Sequence, residues 1–522
     1  MIEPKPLPTR QIHRLASLAR WSLGLVLSLW LLLATVWGVL HFWIVPRIEQ
    51  WRPELESLAS RSLGVPVSIG RLNAYRSGLV PTFELGDVVL HDPANKSEAL
   101  LLPKVVVAVS AHSLMTLGVE QIYLEGPDLT VRRDADGQIF VAGIAVSSDP
   151  GQGTDSDWIF SQPEIAIRSG KLQWVDELRN AAPLQLQDVD LVLRNKRWHH
   201  SLRLDATPPE GWGQRFTVMG NFKEPLLSVH EGRLERWSGQ AYLDFTHIDL
   251  SHLGQYLGPQ DWKLQQGKGS VRAWLDVERG QPVGGVADVA VQALQLQWRD
   301  RPEPLALQSL RGRLRAKNQN GYQFSVQGLQ FTADDGLNWP RGDFSLRYVP
   351  TGASEQGSQG EHGEVQADGI DLAIAAQMLQ RLPLPESVQT QLKALAPAGQ
   401  LSDLKLSWRG PLQQLAQYKA SGRFEQLGLR SQASEEGPHS IGIPGVRGLS
   451  GKFTLDQDSG EATLTKTPAA NQAMLSFPGV FEDSDIPFDQ FDSLVRWQLL
   501  DKGQSIKVQV PRLRFANEDT AG

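Results

Sequence analysis

The chain has 522 residues, 41% of them hydrophobic and 21% charged, a balance that excludes general disorder and leaves room for several domains. Its 51 basic and 58 acidic side chains give a net charge of −7 with no Lys/Arg block, which argues against a nucleic-acid surface. The absence of cysteine excludes disulfides, thiolate metal sites and cysteine nucleophiles, while 48 Gly and 32 Pro favour strands and turns over long helices.

Residues 1–20 carry Lys5, Arg10, Arg14 and Arg20. Trp21 to Val45 then run for 25 residues without Asp, Glu, Lys or Arg. As a helix this stretch reaches about 37 Å, enough to cross a ~30 Å hydrocarbon core with some tilt. Trp21, Trp37, Phe42 and Trp43 lie toward its ends, where aromatic rings prefer the interface. Large residues continue to Pro46, whereas a cleaved signal peptide ends on small ones. The segment is therefore predicted to be an uncleaved transmembrane anchor, and His41 an interfacial residue rather than a proton relay. Arg47, Arg52 and Arg61 follow the span. The slight excess of basic residues before it predicts a cytoplasmic N-terminus and a body outside the cytoplasm.

Residues 46–146 are predicted to form a β region with a short entry helix. Ile48, Trp51, Leu55 and Leu58 recur at helical steps, with Pro53 early and Gly64 at the end. From Val65 the period falls to two, as in Val271, Ala273, Leu275 and Val277, or Leu404, Leu406 and Trp408, the pattern of half-buried strands. Asp134-Ala-Asp136-Gly137 and Asn318-Gln-Asn320-Gly321 suit tight reversals between antiparallel strands. Low-complexity stretches at 147–157 and 351–363 are predicted flexible loops, bounding β segments 158–350 and 364–522. Helical patterns are limited to Leu250–Leu257, Leu372–Leu382 and Val388–Leu395. A weak repeat links Ile248-Asp249-Leu250 to Ile370-Asp371-Leu372, and Leu310-Arg-Gly312-Arg-Leu314 to Leu449-Ser-Gly451-Lys-Phe453; repetition of this kind predicts an elongated body.

Catalytic signals are poor. There is no Walker loop, zinc-protease helix or nucleophile elbow. His247 and His252 do not share a helix face, and His199-His200 point to opposite sides of a strand and read as surface residues. Asp134, Asp136 and Gly137 open like a calcium loop, but its twelfth position is Ala145. Asp244 and Asp249, or Glu482, Asp483 and Asp485, show nothing of the separation that carboxylate catalysis needs. No catalytic residue, metal or cofactor is expected.

What remains is an excess of alternating strands fastened to a membrane. A curved sheet with one apolar face would shelter acyl chains, at about 0.8 kcal/mol per buried methylene. A closed sandwich shows the same alternation, so periodicity alone leaves both open.

Further residues carry a resemblance. Gly64-Val-Pro66-Val-Ser68-Ile-Gly70-Arg71-Leu72 and Gly78-Leu-Val-Pro81-Thr-Phe-Glu-Leu-Gly-Asp87-Val-Val-Leu-His-Asp92, then Leu114 and Val119 to Gly137, resemble the N-terminal signature of AsmA-like envelope proteins, and are most similar to the YhdP-type members. The resemblance is specific from Gly64 to Gly137 and diffuse beyond. It implies a mainly β fold: an elongated, curved and twisted antiparallel sheet forming a repeating β-groove, with one N-terminal transmembrane helix and a few short helices. It also implies a non-enzymatic protein of the bacterial inner membrane whose periplasmic groove carries phospholipid toward the outer membrane and supports its permeability barrier. With on the order of 30 strands at about 4.8 Å spacing, the groove would run about 140 Å. YhdP-type proteins are more than twice as long, and Arg512 to Gly522 run through a strand into a turn, so a fragment is expected and its outer-membrane contact is left open. Expected groove-lining positions are Val271, Leu275, Val289, Val291, Leu294, Leu296, Val508 and Val510. The competing readings are an assembly factor that offers strand edges to outer-membrane proteins and a tethered hydrolase, for which no residue set is found.

Overall fold

The computed structural model describes residues 9–39, 42, 45–77, 80–91, 98–108, 119–141, 144–145, 162–196, 198–225, 236–257, 262–299, 301, 303–319, 321–351, 360–411, 416–434, 442–468, 470, 472–500, 505–518 and 520–522. The expected loop at 147–157, positions 352–359 of the other loop, His41 and Leu114 lie outside the described residues.

Helix α1 (Thr9–Val39) contains one segment long and apolar enough to cross a membrane, Ser17–Val39. A 3₁₀ turn (Val45–Trp51) leads into α2 (Arg52–Leu63), which has a proline in its first turn and ends on Gly64 in the left-handed region at φ 68°. Ile48, Leu55, Ala59 and Leu63 pack on the sheet, because Leu55, Ala59 and Leu63 form one i, i+4 stripe. Trp51 and Leu58, expected on the same face, are 38% and 48% exposed.

The body divides into two compact units, Met1–Pro209 with Thr217–Gly239, and Glu210–Phe216 with Gln240–Gly522. The first contains β1 (Val67–Ser77), β2 (Val80–His91), β3 (Glu98–Ala108), β4 (Gln121–Glu125), β5 (Asp128–Arg133), β6 (Ile139–Val141), β7 (Ile144–Ala145), β8 (Glu164–Asp176), β9 (Ala181–Lys196), β10 (His199–Thr207) and β11 (Phe216–Lys223). Strands β1 to β4 pair antiparallel in sequence order, as do β8 to β10. In this unit the expected antiparallel meander is broken where β4 and β5 lie end to end and both pair parallel to β8. Gly126, at φ 67°, and Pro127 interrupt them, opposite the irregularity at Ser169 and Gly170 of β8. A parallel partner needs a long crossover, and residues 134–163 separate β5 from β8 in sequence.

The second unit contains β12 (Ser238–Asp249), β13 (Trp262–Glu278), β14 (Gln281–Trp298), β15 (Leu305–Asn318), β16 (Tyr322–Ala333), β17 (Asn338–Val349), β18 (His362–Asp368), β19 (Ile370–Asp371), β20 (Ala398–Arg409), β21 (Gln417–Leu429), β22 (Gly445–Asp456), β23 (Ser459–Lys466), β24 (Ala473–Ser476), β25 (Asp485–Phe488), β26 (Gln490–Leu500) and β27 (Ser505–Ala516). From β13 to β27 it is one open antiparallel sheet, in which β18 and β19 both pair with β20, and β23 pairs with β26. The β24–β25 hairpin hangs on β22. Helices α3 (Leu372–Gln380) and α4 (Glu386–Leu395) fall where helical spacing predicts them, and a 3₁₀ turn with a one-turn helix occupies Leu250–Leu257.

The strands do not keep one phase of alternation. Asp87, Ser169, Asp188, Ala293, Asp403 and Gln426, with Gly328, have φ between 46° and 61° inside strands. At each the apolar positions slip by one: Val289 and Val291 are followed by Leu294 and Leu296, and Leu401 by Leu404 and Leu406. Register slips line up on neighbouring strands between Gln266 and Lys268 and between Leu307 and Ser309, and again between Val326 and Leu329 and between Ser402 and Lys405, with a further one between Phe424 and Leu427. An amide freed at a bulge finds a side chain next door: Ser169 donates to Asp190 (3.1 Å), Gly328 to Asp343 (2.7 Å), Asp403 to Asp368 (3.4 Å) and Gln426 to Ser450 (3.1 Å). Bulges bend a strand and sharpen its twist, so an aligned row is a crease. Beside it on the apolar face Val291, Leu307, Phe424 and Leu449 are at most 5% exposed.

One histidine reading is corrected. His199 is exposed, but His200 is 2% exposed. It faces Asn195 across the β9–β10 hairpin (Nδ1 to Oδ1 2.7 Å) and stacks on Trp237 with ring centres 4.2 Å apart. Burial, with His199 adding a lesser repulsion, pushes its pKa down to about 4.

Candidate functional site: an apolar sheet face

Directly paired residues of an antiparallel sheet project to the same side. In the second unit one row can be followed across the whole sheet: Leu275, Gly285, Ala316, Phe324, Leu346, Val365, Leu406, Ala420, Leu455, Gly460, Trp497 and Val508, each paired with the next. It contains no polar side chain. One residue away, on the opposite face, runs a polar row, Asp276, Gly284, Lys317, Gln323, Arg347, Glu364, Ser407, Lys419 and Asp456. That face is laced by cross-strand ion pairs, including Arg313–Asp288 and Arg496–Glu461 at 2.6 Å. The Arg313 guanidinium holds the Asp288 carboxyl below its ordinary range. The twelve strands at about 4.8 Å spacing extend the apolar row over roughly 53 Å.

On the apolar face beyond the crease, Val291, Leu294, Leu305, Leu307, Phe331 and Ala333 form a buried cluster, with Leu250, Ile374 and Met378 packed on it from the 3₁₀ turn and α3. Two aspartates hold these covers alike. Asp371 accepts the Ile374 amide at 3.0 Å and the Gln400 amide group at 2.7 Å. Asp249 accepts the Ser251 amide at 3.1 Å and pairs with Lys268 at 3.5 Å. Gln400 and Lys268 each follow a positive-φ glycine, Gly399 and Gly267. The weak sequence repeat is thus a repeated device, a capped cover ahead of a long strand.

The eight expected lining positions separate accordingly. Val291 and Leu294 (3% and 7% exposed) are in the covered cluster, with Val289 and Leu296 against it. Val271 and Leu275 are half-buried on the uncovered half. Val508 and Val510, on β27, are 54% and 47% exposed. The register connects Leu275 to Val508 through residues not among the eight, above all Phe324, exposed by 39%. Its signal was present in the alternation of Tyr322, Phe324 and Val326.

Aromatic side chains line the uncovered strand ends on this face, where Tyr322, Tyr348, Gly363, Trp408 and Tyr418 pair in succession. Gly363 lets the Trp408 ring lie flat, since an added Cβ would meet that ring at 2.2 Å; Gly460 does the same for Trp497 at 2.1 Å. Among the described residues, no group of three or more His, Asp or Glu side chains is arranged to hold a metal ion.

Comparison with known proteins places the sequence as follows. The profile of the family described as YhdP protein matches residues 5–522. A curated relative, the intermembrane phospholipid transporter YhdP of Escherichia coli (strain K12), is 21% identical over 469 residues, covering 84% of this chain and 33% of the relative. The chain therefore spans about a third of that relative's length. No solved structure matches.

Proposed function

The chain belongs to the YhdP family, and on that premise we propose that it forms part of a phospholipid conduit between the inner and outer membranes, supporting the permeability barrier of the latter. The observation that carries this reading is the unbroken apolar row from Leu275 to Val508, left largely uncovered in an open, one-sided sheet. Acyl chains lie against that face, each buried methylene contributing about 0.8 kcal/mol, while headgroups stay at the wet strand ends. Nothing needs to be made or broken, so the protein acts without catalytic turnover. The apolar helix Ser17–Val39 is its inner-membrane anchor. The basic residues ahead of it keep the N-terminus in the cytoplasm and the body in the periplasm. Val271, Leu275, Val508 and Val510 line the open path, and the four positions near the crease support its floor.

A photo-crosslinking amino acid tests this in the full-length chain in cells. Placed at Leu275, Phe324 or Val508 it is expected to capture phospholipid, and at Arg313, on the polar face, to capture none. Equal labelling on both faces, or capture of unfolded outer-membrane protein in place of lipid, overturns the proposal and favours an assembly factor.

A further inference from the structure

The strand ends that carry the aromatic row also carry charges, in a fixed relation to it. Tyr348 follows Arg347, Trp408 precedes Arg409 and Tyr418 precedes Lys419, so each of these three rings on the apolar face has a cation beside it on the polar face. These residues come together because Arg347, Glu364, Ser407, Lys419 and Asp456 pair in succession across five strands, and His362, Arg409 and Gln417 pair one step further toward the strand ends. They enclose a hollow of about 530 Å³, also bordered by Gly363, Trp408 and Tyr418.

Three observations point to a ligand there. Arg272, Arg313, Arg423 and Arg496 on the same sheet each pair with a carboxylate, whereas among the described residues Arg347 and Arg409 make no ion pair, and Lys419 acts on Asp456, its cross-strand neighbour, only at longer range. The acids in the hollow are partly committed: Asp456 accepts the amides of Asp458 (3.0 Å) and Ser459 (2.7 Å), and Glu364 accepts from Gln366 (2.6 Å). Trp408, whose ring lies over Gly363 on the apolar side of the rim, is 6% exposed, yet among the described residues nothing accepts a hydrogen bond from its Nε1–H, an expensive condition for a buried donor.

We infer that this hollow seats the zwitterionic headgroup of a phospholipid whose acyl chains turn over the nearby strand ends onto the apolar face. The guanidiniums of Arg347 and Arg409 and the Lys419 ammonium meet the phosphodiester. Glu364 and Asp456 meet the headgroup ammonium, and the aromatic rim occupies the polar–apolar boundary, as such rings do at membrane surfaces. A purely anionic headgroup satisfies the cations but leaves both carboxylates facing negative charge. The inference rests on the lipid-conduit reading and adds a selectivity to it.

The test is calorimetric titration of the full chain in a non-ionic detergent with dihexanoyl phosphatidylethanolamine, dihexanoyl phosphatidylglycerol and inorganic phosphate. The wild type is expected to prefer the ethanolamine lipid over the glycerol lipid and to bind phosphate far more weakly than either. The triple variant Arg347→Gln/Arg409→Gln/Lys419→Gln, all at exposed positions, is expected to lose at least about tenfold in affinity for the ethanolamine lipid, since each charge-assisted bond is worth about a factor of ten. It should retain acyl capture by crosslinkers at Leu275 and Val508. Unchanged affinity in the variant, equal affinity for the two lipids, or phosphate binding as tight as lipid binding each overturns the headgroup seat. Loss of acyl capture in the wild type overturns the conduit itself, so the two failures are distinguishable.

Discussion

His200 illustrates how a single side chain makes stability depend on pH. Its pKa is about 4 in the folded chain, against an ordinary 6.5, so the unfolded chain takes up the proton first as pH falls. Folding stability is therefore lost between about pH 6.5 and 4 and levels off below, by at most about 3 kcal/mol from this group. Urea unfolding midpoints should fall across that window, and His200→Phe, which keeps a ring against Trp237, should flatten the fall. An unaltered slope in the variant would assign the titration to other groups. At the same scale, Gly363 and Gly460 serve the apolar face by having no side chain at all, which lets Trp408 and Trp497 lie along the sheet.

Among elements, the bulges and covers decide what each strand presents. A period of two, kept strictly, would turn Leu294 and Leu296 to the polar face; the left-handed Ala293 returns them to the side of Val291. The sequence carries this as a recurring spacing, an apolar residue, two others, then an apolar residue, in Leu85 to Val88, Leu186 to Val189, Val326 to Leu329 and Leu401 to Leu404. Asp or Gly occupies the third place, where positive φ costs least. The covers depend on their caps. Asp371→Ala removes both the α3 cap and the bond to Gln400, and should lower unfolding stability by about 1–2 kcal/mol. Asp343→Ala, which removes only the acceptor for the Gly328 amide, should lower it by about 1 kcal/mol. Chemical denaturation of both variants checks the order.

In the molecule as a whole, an apolar surface is left open where an ordinary sheet would be packed against a second layer. Charge placed on the two halves of that face should then act differently. Val510→Asp, at a position 47% exposed, should leave the melting temperature nearly unchanged and reduce co-purifying lipid measured by native mass spectrometry. Leu294→Asp, at a position 7% exposed beneath α3, should unfold or strongly destabilise the protein, because a buried unpaired charge costs several kcal/mol. Full lipid occupancy in a folded Val510→Asp chain would count against that edge of the path.

The sequence by itself determined the apolar span, the entry helix, the strand-dominated body and the places of α3 and α4, because these follow from local periodicity, caps and turn residues. It also carried the family resemblance, which the profile match extends over residues 5–522. Only the tertiary structure decided which apolar positions are core and which are open. Val291 and Val508 are both valines on alternating strands, and what separates them is whether Leu250, Ile374 and Met378 lie above. Register decided the rest: pairing carries Leu275 through ten intervening residues to Val508, and brings Arg347, Arg409 and Lys419 from distant segments to one hollow. Local spacing holds no information about either, since strand pairing is a long-range choice made by the packing of a whole face.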